Sequence, residues 1–224
     1  SRWQELREQG LLTERGSAQT GSLSSYFPLM KMFTDVANAF LQAPVTMLLI
    51  LGALVVATLS SLGSDLSPVS GLFYPSFTLV QDSMLAGLGQ IFVQINSLDV
   101  LLRTLTPALL HFGAIHLVFN SLWIWHFGRM IERSQSSLLY LGVVVFIAFF
   151  SNAAQYLWSQ TANFGGLSGV VYGLLGYIWM WQLLLPFGRL RLPPAMIGFL
   201  LVALVLMELF AGSWIASAAH TGGL

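Results

Sequence analysis

No cysteine occurs in the 224 residues. Disulfides and thiolate chemistry are therefore excluded, and the redox compartment is left open. Charge is the second scarcity. Only 8% of the residues are Asp, Glu, Lys or Arg, against roughly 25% in a soluble globular domain. Nine basic and nine acidic side chains cancel, and no basic tract is present, so nothing points to nucleic acid. An H-E-x-x-H helix is missing, which disfavours a metal protease and leaves no cofactor or metal implied. Internal repeats, low-complexity runs and a basic–apolar–small signal pattern are absent too. What is abundant is apolar: 56% of the residues are hydrophobic and mean hydropathy is +0.76. So little charge cannot keep so apolar a chain in water. The solvent for most of it must be lipid, and one packed domain is expected.

A spanning helix needs about 20 largely apolar residues. Five stretches qualify, roughly 44–62, 114–131, 137–158, 168–186 and 193–213. Pro44 and the Pro193-Pro194 pair stand at helix starts, where a missing N–H costs least. A sixth apolar stretch opens near residue 214 and has about eleven residues before Leu224, too few to cross about 30 Å of hydrocarbon. The sequence thus predicts an all-α membrane protein, with the sixth helix truncated. A start at Ser1 and an end inside an apolar run lead us to expect a natural protein that continues. Residues 1–26 are polar and read as a linker. Between Leu29 and Leu41, Leu29, Met30, Phe33, Val36, Ala37, Phe40 and Leu41 recur at helical spacing, the pattern of a surface helix lying on a membrane or packed on protein.

With a cytoplasmic N-terminus, Arg2, Arg7, Arg15, Lys31, Arg129, Arg133, Arg189 and Arg191 fall inside and only Arg103 outside. Such a bias is a strong positive-inside signal, and it predicts a multi-pass membrane protein with a cytoplasmic N-terminus. The stretch 63–113 becomes a large outer loop. It is rich in Phe, Leu and Met but broken by Pro68, Pro75 and Pro107. Its apolar run from Met84 to Ile95 is too short to span and is expected to sit partly in the outer leaflet.

That topology sets several polar residues at one depth. Ser168 stands at the outer start of the fourth span, inside Gly165-Gly166-Leu167-Ser168-Gly169. His220 lies about two turns into the sixth. His116 and Asn120, four apart, share one face of the second. Polar groups in lipid are costly and usually face the bundle interior in partnership. A hydroxyl, two imidazoles and an amide are the parts of acyl transfer: an activated nucleophile and donors for an oxyanion. On its own, G-x-S-G more often marks close helix packing, and a membrane histidine also suits packing, a proton relay or a metal.

The motifs in order resemble the rhomboid intramembrane serine proteases of bacterial type, over about 103–224. His111-Phe112-Gly113-Ala114-Ile115-His116 with Asn120 is similar to the family's H-F-x-x-x-H-x-x-x-N helix. Gly166-Leu167-Ser168-Gly169 with Tyr172 is similar to G-x-S-G-x-x-Y, and Ala219-His220-Thr221-Gly222-Gly223 to A-H-x-x-G. The resemblance implies a six-helix bundle over 44–224, preceded by a cytoplasmic linker and surface helix over 1–43. It implies Ser168 as nucleophile and His220 as general base. The oxyanion hole would comprise the Ser168 N–H, Asn120 and His116. Tyr172 would orient His220, and Gly166, Gly169 and Gly223 would permit close packing. The fifth span would be a movable gate, and the partners would be transmembrane protein substrates and the lipid bilayer. Two departures stand out: Leu102 precedes Arg103 where the family often has Trp, and Ser136 replaces a glycine four residues after Glu132.

Other residues have plainer readings. His111 is expected in the outer loop bonded to backbone, and His126 as a bundle contact. Gly169, Gly173 and Gly176 make a small-residue stripe for packing. Glu208 suits an interfacial acid, and Glu132 an ion pair with Arg129. The alternative function is a catalytically inactive rhomboid-like protein that binds membrane helices. A transporter would show internal symmetry and mid-membrane charge, and neither is present.

Overall fold

The computed structural model describes residues 28–80, 83–211 and 217–224. The linker read over 1–26 lies outside them, and so does Trp214. Glu208 and Phe210 lie outside the residues whose side chains are described. All regular structure among the described residues is helical. The described residues fall into two compact units, one ending at Leu41 and the other starting at Gln42. In the first, α1 (Pro28–Gln42) covers the stretch predicted at 29–41, and Met32, Phe33, Val36 and Leu41 are exposed.

The second unit begins with α2 (Pro44–Leu59), which has proline in its first turn and no side-chain cap at Ala43. The cap comes from elsewhere in the chain. The Glu132 carboxylate accepts from the backbone N–H groups of Val45 and Thr46, each at 2.9 Å, and from the Thr46 hydroxyl at 2.8 Å. A helix N-terminus offers orphan donors and a positive dipole end, so a buried carboxylate finds there what a surface ion pair would not supply. The expected Arg129–Glu132 pair is accordingly not formed; Arg129 lies over the Trp125 ring, 4.9 Å from its centroid.

The outer loop is mostly helical. It contains 3₁₀ turns at Ser61–Gly63 and Ser67–Leu72, then α3 (Met84–Gln94) and α4 (Leu98–Leu105), then another 3₁₀ turn at Thr106–Leu109. Ser83 and Ser97 cap α3 and α4 by accepting from the N–H three residues on, as N-cap hydroxyls do. The loop is tied down by polar bonds. Arg103 Nε donates to the Phe73 carbonyl at 3.1 Å, Asn152 Nδ2 to the Thr104 carbonyl at 2.9 Å, and the Phe77 N–H to the Tyr156 hydroxyl at 2.9 Å. Tyr74, Ile91, Phe149, Tyr156 and Phe164 close a small core beneath it. On its other face α3 exposes Leu85 (80%) and Val93 (86%).

Next, α5 (Ala114–Trp123) passes through a π turn at Ile124–Gly128 into α6 (Arg129–Ser134), one continuous path about 30 Å long at 1.5 Å per residue. A Cβ on Gly128 would run into the Tyr140 hydroxyl and lie 2.8 Å from Thr46 Oγ1, so this turn presses against α2 and the next helix. That helix, α7 (Ser137–Ser159), matches the predicted 137–158. Ser136 caps it, accepting from the Leu139 N–H at 3.2 Å in an extended conformation that any residue adopts. The departure from glycine at this point therefore gains a cap.

α8 (Ser168–Leu184) is buried on nearly every side from Gly169 to Ile178, as expected of a helix that is apolar all round. Among the described residues of this unit, α9 (Pro194–Ala211) packs more sparsely than α2, α7 and α8, and α10 (Ser217–Gly223) packs against both α7 and α8. Around the unit Leu48, Ile115, Val118, Leu138, Phe146, Leu184 and Phe199 are all exposed, far more apolar surface than a soluble monomer leaves uncovered. Among the described residues one helix, Ser137–Ser159, is long and apolar enough to cross a membrane, or up to three if each bent helix pair is one span.

Candidate active site

Ser168 is the first residue of α8, so its N–H belongs to the first four of the helix, which have no intrahelical acceptor. The macrodipole makes this a favourable place for negative charge. The hydroxyl is half-buried, and His220 on α10 is 1% exposed. The two meet: His220 Nε2 lies 2.6 Å from Ser168 Oγ. If Nε2 accepts the hydroxyl proton, the ring hydrogen sits on Nδ1, which is buried without a partner. No carboxylate completes a triad among the described residues. The ring is steered by packing instead, with the Tyr172 ring centroid 5.2 Å away at an interplanar angle of 44°. The Tyr172 hydroxyl donates to the Leu200 carbonyl on α9 at 3.3 Å.

Glycines let α10 come this close. A Cβ on Gly223 would overlap the Gly169 carbonyl, one on Gly173 would lie 2.8 Å from the Gly223 carbonyl, and one on Gly176 would lie 2.6 Å from the Leu224 carbonyl. The stripe read as packing thus carries backbone against backbone. Gly166 lies at a different kind of contact. It sits in the loop ahead of α8 with φ +120°, and a Cβ there would be 2.7 Å from His116 Cε1 and Nε2 and 3.4 Å from Asn120 Nδ2. The Gly166-Leu167-Ser168 turn is thereby laid directly against the two side chains predicted as oxyanion donors. The Gly166 N–H donates to the Pro107 carbonyl at 3.1 Å, which holds this turn to the end of the outer loop.

His111 is placed by an unexpected bond. Its Nδ1 lies 3.1 Å from the Leu109 carbonyl, the backbone contact anticipated for it, but its Nε2 lies 3.1 Å from Asn120 Nδ2. A carbonyl only accepts, so Nδ1 carries the hydrogen and Nε2 must accept from the amide. The Asn120 amide is therefore held with its NH₂ group on this side, one hydrogen engaged and one available. Burial pushes the His111 imidazole down to about 4, so it stays neutral and keeps this acceptor at ordinary pH. Nothing in the linear spacing reveals the pair, because the chain must turn through Gly113 at φ +104° to bring residue 111 back over residue 120. His116 sits beside them, its ring centroid 5.0 Å from that of His111. His126, read as a bundle contact, is instead exposed, with its ring against the edges of Trp123 and Phe127.

Residues 99–224, more than half the chain, match the Rhomboid domain family. Curated relatives include the Rhomboid protease GlpG of Yersinia pestis (strain Pestoides F), 38% identical over 123 residues that make up 54% of this chain and 44% of the relative. The Rhomboid protease GlpG of Pectobacterium atrosepticum is 39% identical over 123 residues, again 54% and 44%. The chain thus spans under half the length of these relatives. Ser168, Tyr172, His116, Asn120 and His220 all fall within the matched segment, and the chain belongs to the rhomboid family.

Proposed function

We propose that this chain is an intramembrane serine endopeptidase that cleaves transmembrane proteins in or near their membrane segments. The observation that carries the reading is the 2.6 Å approach of His220 Nε2 to Ser168 Oγ, at the N-terminus of a buried helix. In the first step Ser168 Oγ attacks the scissile carbonyl carbon while its proton passes to His220 Nε2. The carbonyl electron pair moves to oxygen, where the Ser168 N–H, the free Asn120 hydrogen and His116 stabilise it. The C–N bond then breaks, and the imidazolium gives its proton to the leaving amine. Water adds to the acyl-enzyme with His220 as base, and collapse returns the proton to Ser168 and releases the acid. Tyr172 positions the ring, as a carboxylate does in a triad.

The proposal includes a six-helix bundle in the inner membrane with a cytoplasmic N-terminus. It is supported by the one-sided distribution of Lys and Arg and by the exposed apolar belt. In this topology Ser168 lies roughly 5–10 Å below the outer surface. A substrate helix must unwind there to present its carbonyl, which favours helix-weakening Gly or Pro near the cut and a small residue before the scissile bond. The sparsely packed α9 is the proposed entrance.

The test is cleavage of a model transmembrane substrate by the detergent-solubilised chain. Ser168→Ala and His220→Ala should each abolish turnover, with the double variant hardly worse, because parts acting as a unit are non-additive. Cleavage retained in Ser168→Ala would overturn the assignment. No cleavage by the parent, with no fluorophosphonate labelling of Ser168, would favour the inactive helix-binding alternative.

A further inference from the structure

The α5–α6 path carries Asn120 near one end and a second polar cluster near the other. Trp125, His126, Arg129, Met130, Arg133 and Ser134 line an open groove of about 320 Å³. Two rows at four-residue spacing form its sides, Trp125-Arg129-Arg133 and His126-Met130-Ser134. The i→i+5 turn at Ile124–Gly128 inserts an extra residue just where the groove begins; such turns recur at functional sites.

The charge in this groove is unbalanced. Neither arginine has an acidic partner among the described residues. Glu132, the acid on the same helix, is buried and its carboxylate is engaged by Val45 and Thr46. The Arg129 guanidinium carbon lies over the Trp125 ring, 4.9 Å from its centroid, a cation–π contact that holds the side chain in the groove. Ser134 donates to the Met130 carbonyl at 2.6 Å, so it lines the groove without adding a donor. Two guanidinium forks and an exposed imidazole make a site for a doubly accepting, tetrahedral oxyanion. Its surroundings are lipid-facing, since Leu122 and Leu138 are exposed on either side along the chain. Tryptophan at this level suits the membrane–water boundary.

We propose that this groove binds the phosphate of an anionic phospholipid head group in the cytoplasmic leaflet. The inference uses the N-terminus-inside orientation and not the Ser168 chemistry. Basic pockets on the cytoplasmic side of membrane helices suit such head groups, and losing the charge-assisted hydrogen bonds of one guanidinium to the phosphate costs at least about fivefold in retention, or about 25-fold for the pair.

The experiment places the full chain in bilayers of equal phosphatidylglycerol and phosphatidylcholine, releases it in the gas phase, and counts retained lipids by native mass spectrometry. The parent should keep phosphatidylglycerol in preference to phosphatidylcholine. Arg129→Gln with Arg133→Gln should lower that retention by about 25-fold. Arg189→Gln with Arg191→Gln, which removes the same charge from the same membrane face, should change it by less than about threefold. Equal losses in the two double variants would mean general surface attraction and overturn the site. No preference in the parent would also overturn it. Should the Arg129/Arg133 variant fail to fold, Trp125→Ala carries the test. It frees the Arg129 fork and should cut retention at least fivefold, and unchanged retention would refute the proposal.

Discussion

Placing a methyl group on Gly166 separates the geometry of the site from the stability of the fold. At φ +120° an L side chain is strained, by about 1–3 kcal/mol. The new Cβ would also stand 2.7 Å from two atoms of the His116 ring, where carbon contacts normally rest near 3.5 Å or beyond. The imidazole must therefore retreat by about 0.8 Å. A displacement of about 1 Å in a catalytic constellation costs about 10²-fold, and loss of one oxyanion donor about 10²–10³-fold. Gly166→Ala should accordingly lower kcat by about 10²–10³ and destabilise the protein by about 1–3 kcal/mol. Cleavage of a transmembrane reporter, normalised to folded protein by thermal unfolding, measures both. Two controls bracket it. In Gly165→Ala the Cβ would meet Leu110 Cβ at 2.5 Å and the Pro107 carbonyl at 2.7 Å, so stability should fall while kcat per folded molecule changes much less. Gly142→Ala, with nothing within 4 Å, sits inside α7 and should be neutral or stabilise by up to about 1 kcal/mol. Parent-level kcat in folded Gly166→Ala would refute the argument that this glycine spaces the loop from His116.

Removing His111 tests the amide anchor. His111→Ala should slow turnover by roughly 10-fold, less than the about 10²–10³-fold expected for Asn120→Ala, and adding it to Asn120→Ala should cost little more; full additivity would show that His111 does not act through Asn120. Because burial holds the His111 imidazole near 4, below its ordinary value, stability from its neutral form is present above the unfolded value and lost as pH falls through about 4. His111→Ala should therefore flatten the acid limb of the stability profile, and an unchanged limb would contradict this. Tyr172→Phe keeps the ring beside His220 and loses only the hydrogen bond to Leu200, so it should retain kcat, whereas Tyr172→Ala should lose most of it; equal losses would move the role from ring to hydroxyl. Glu132→Ala deprives Val45 and Thr46 of their acceptor and should destabilise by about 2–4 kcal/mol, with kcat per folded molecule unchanged in the cleavage assay.

The parts of the site carried by helical spacing were legible without coordinates. The four-residue spacing of His116 and Asn120 put both on one face of α5, and the apolar run after Ser168 set that serine at the start of a helix. The ends of α7 were equally plain, because a long, uncharged and mostly apolar run lay between Ser136 and Gln160. Contacts that join distant segments were not legible. Glu132 was paired on paper with its neighbour Arg129 three residues away, but its donors lie 86 and 87 residues back. Gly166 read as helix packing because composition alone cannot tell a positive φ from a small contact. The outer loop hid α3 and α4 because serine-capped helices of 11 and 8 residues are too short to show a long apolar period. The π turn at Ile124–Gly128 leaves no mark in hydrophobic periodicity.

The donation of Val45 and Thr46 to Glu132 also has a meaning in time. A chain made from its N-terminus delivers α2 long before residue 132 exists, and domains build up in that order during synthesis. Until α6 arrives, the first turn of α2 has donors with no acceptor, in a medium where each such group costs several kcal/mol. The start of α2 must wait at the water boundary or borrow water, and it becomes a finished membrane segment only when the later helix closes over it. Nascent chains that stop before Glu132 should therefore hold α2 less firmly than chains that stop a turn beyond it, which makes residue 132 the point in synthesis at which the beginning of the bundle is sealed.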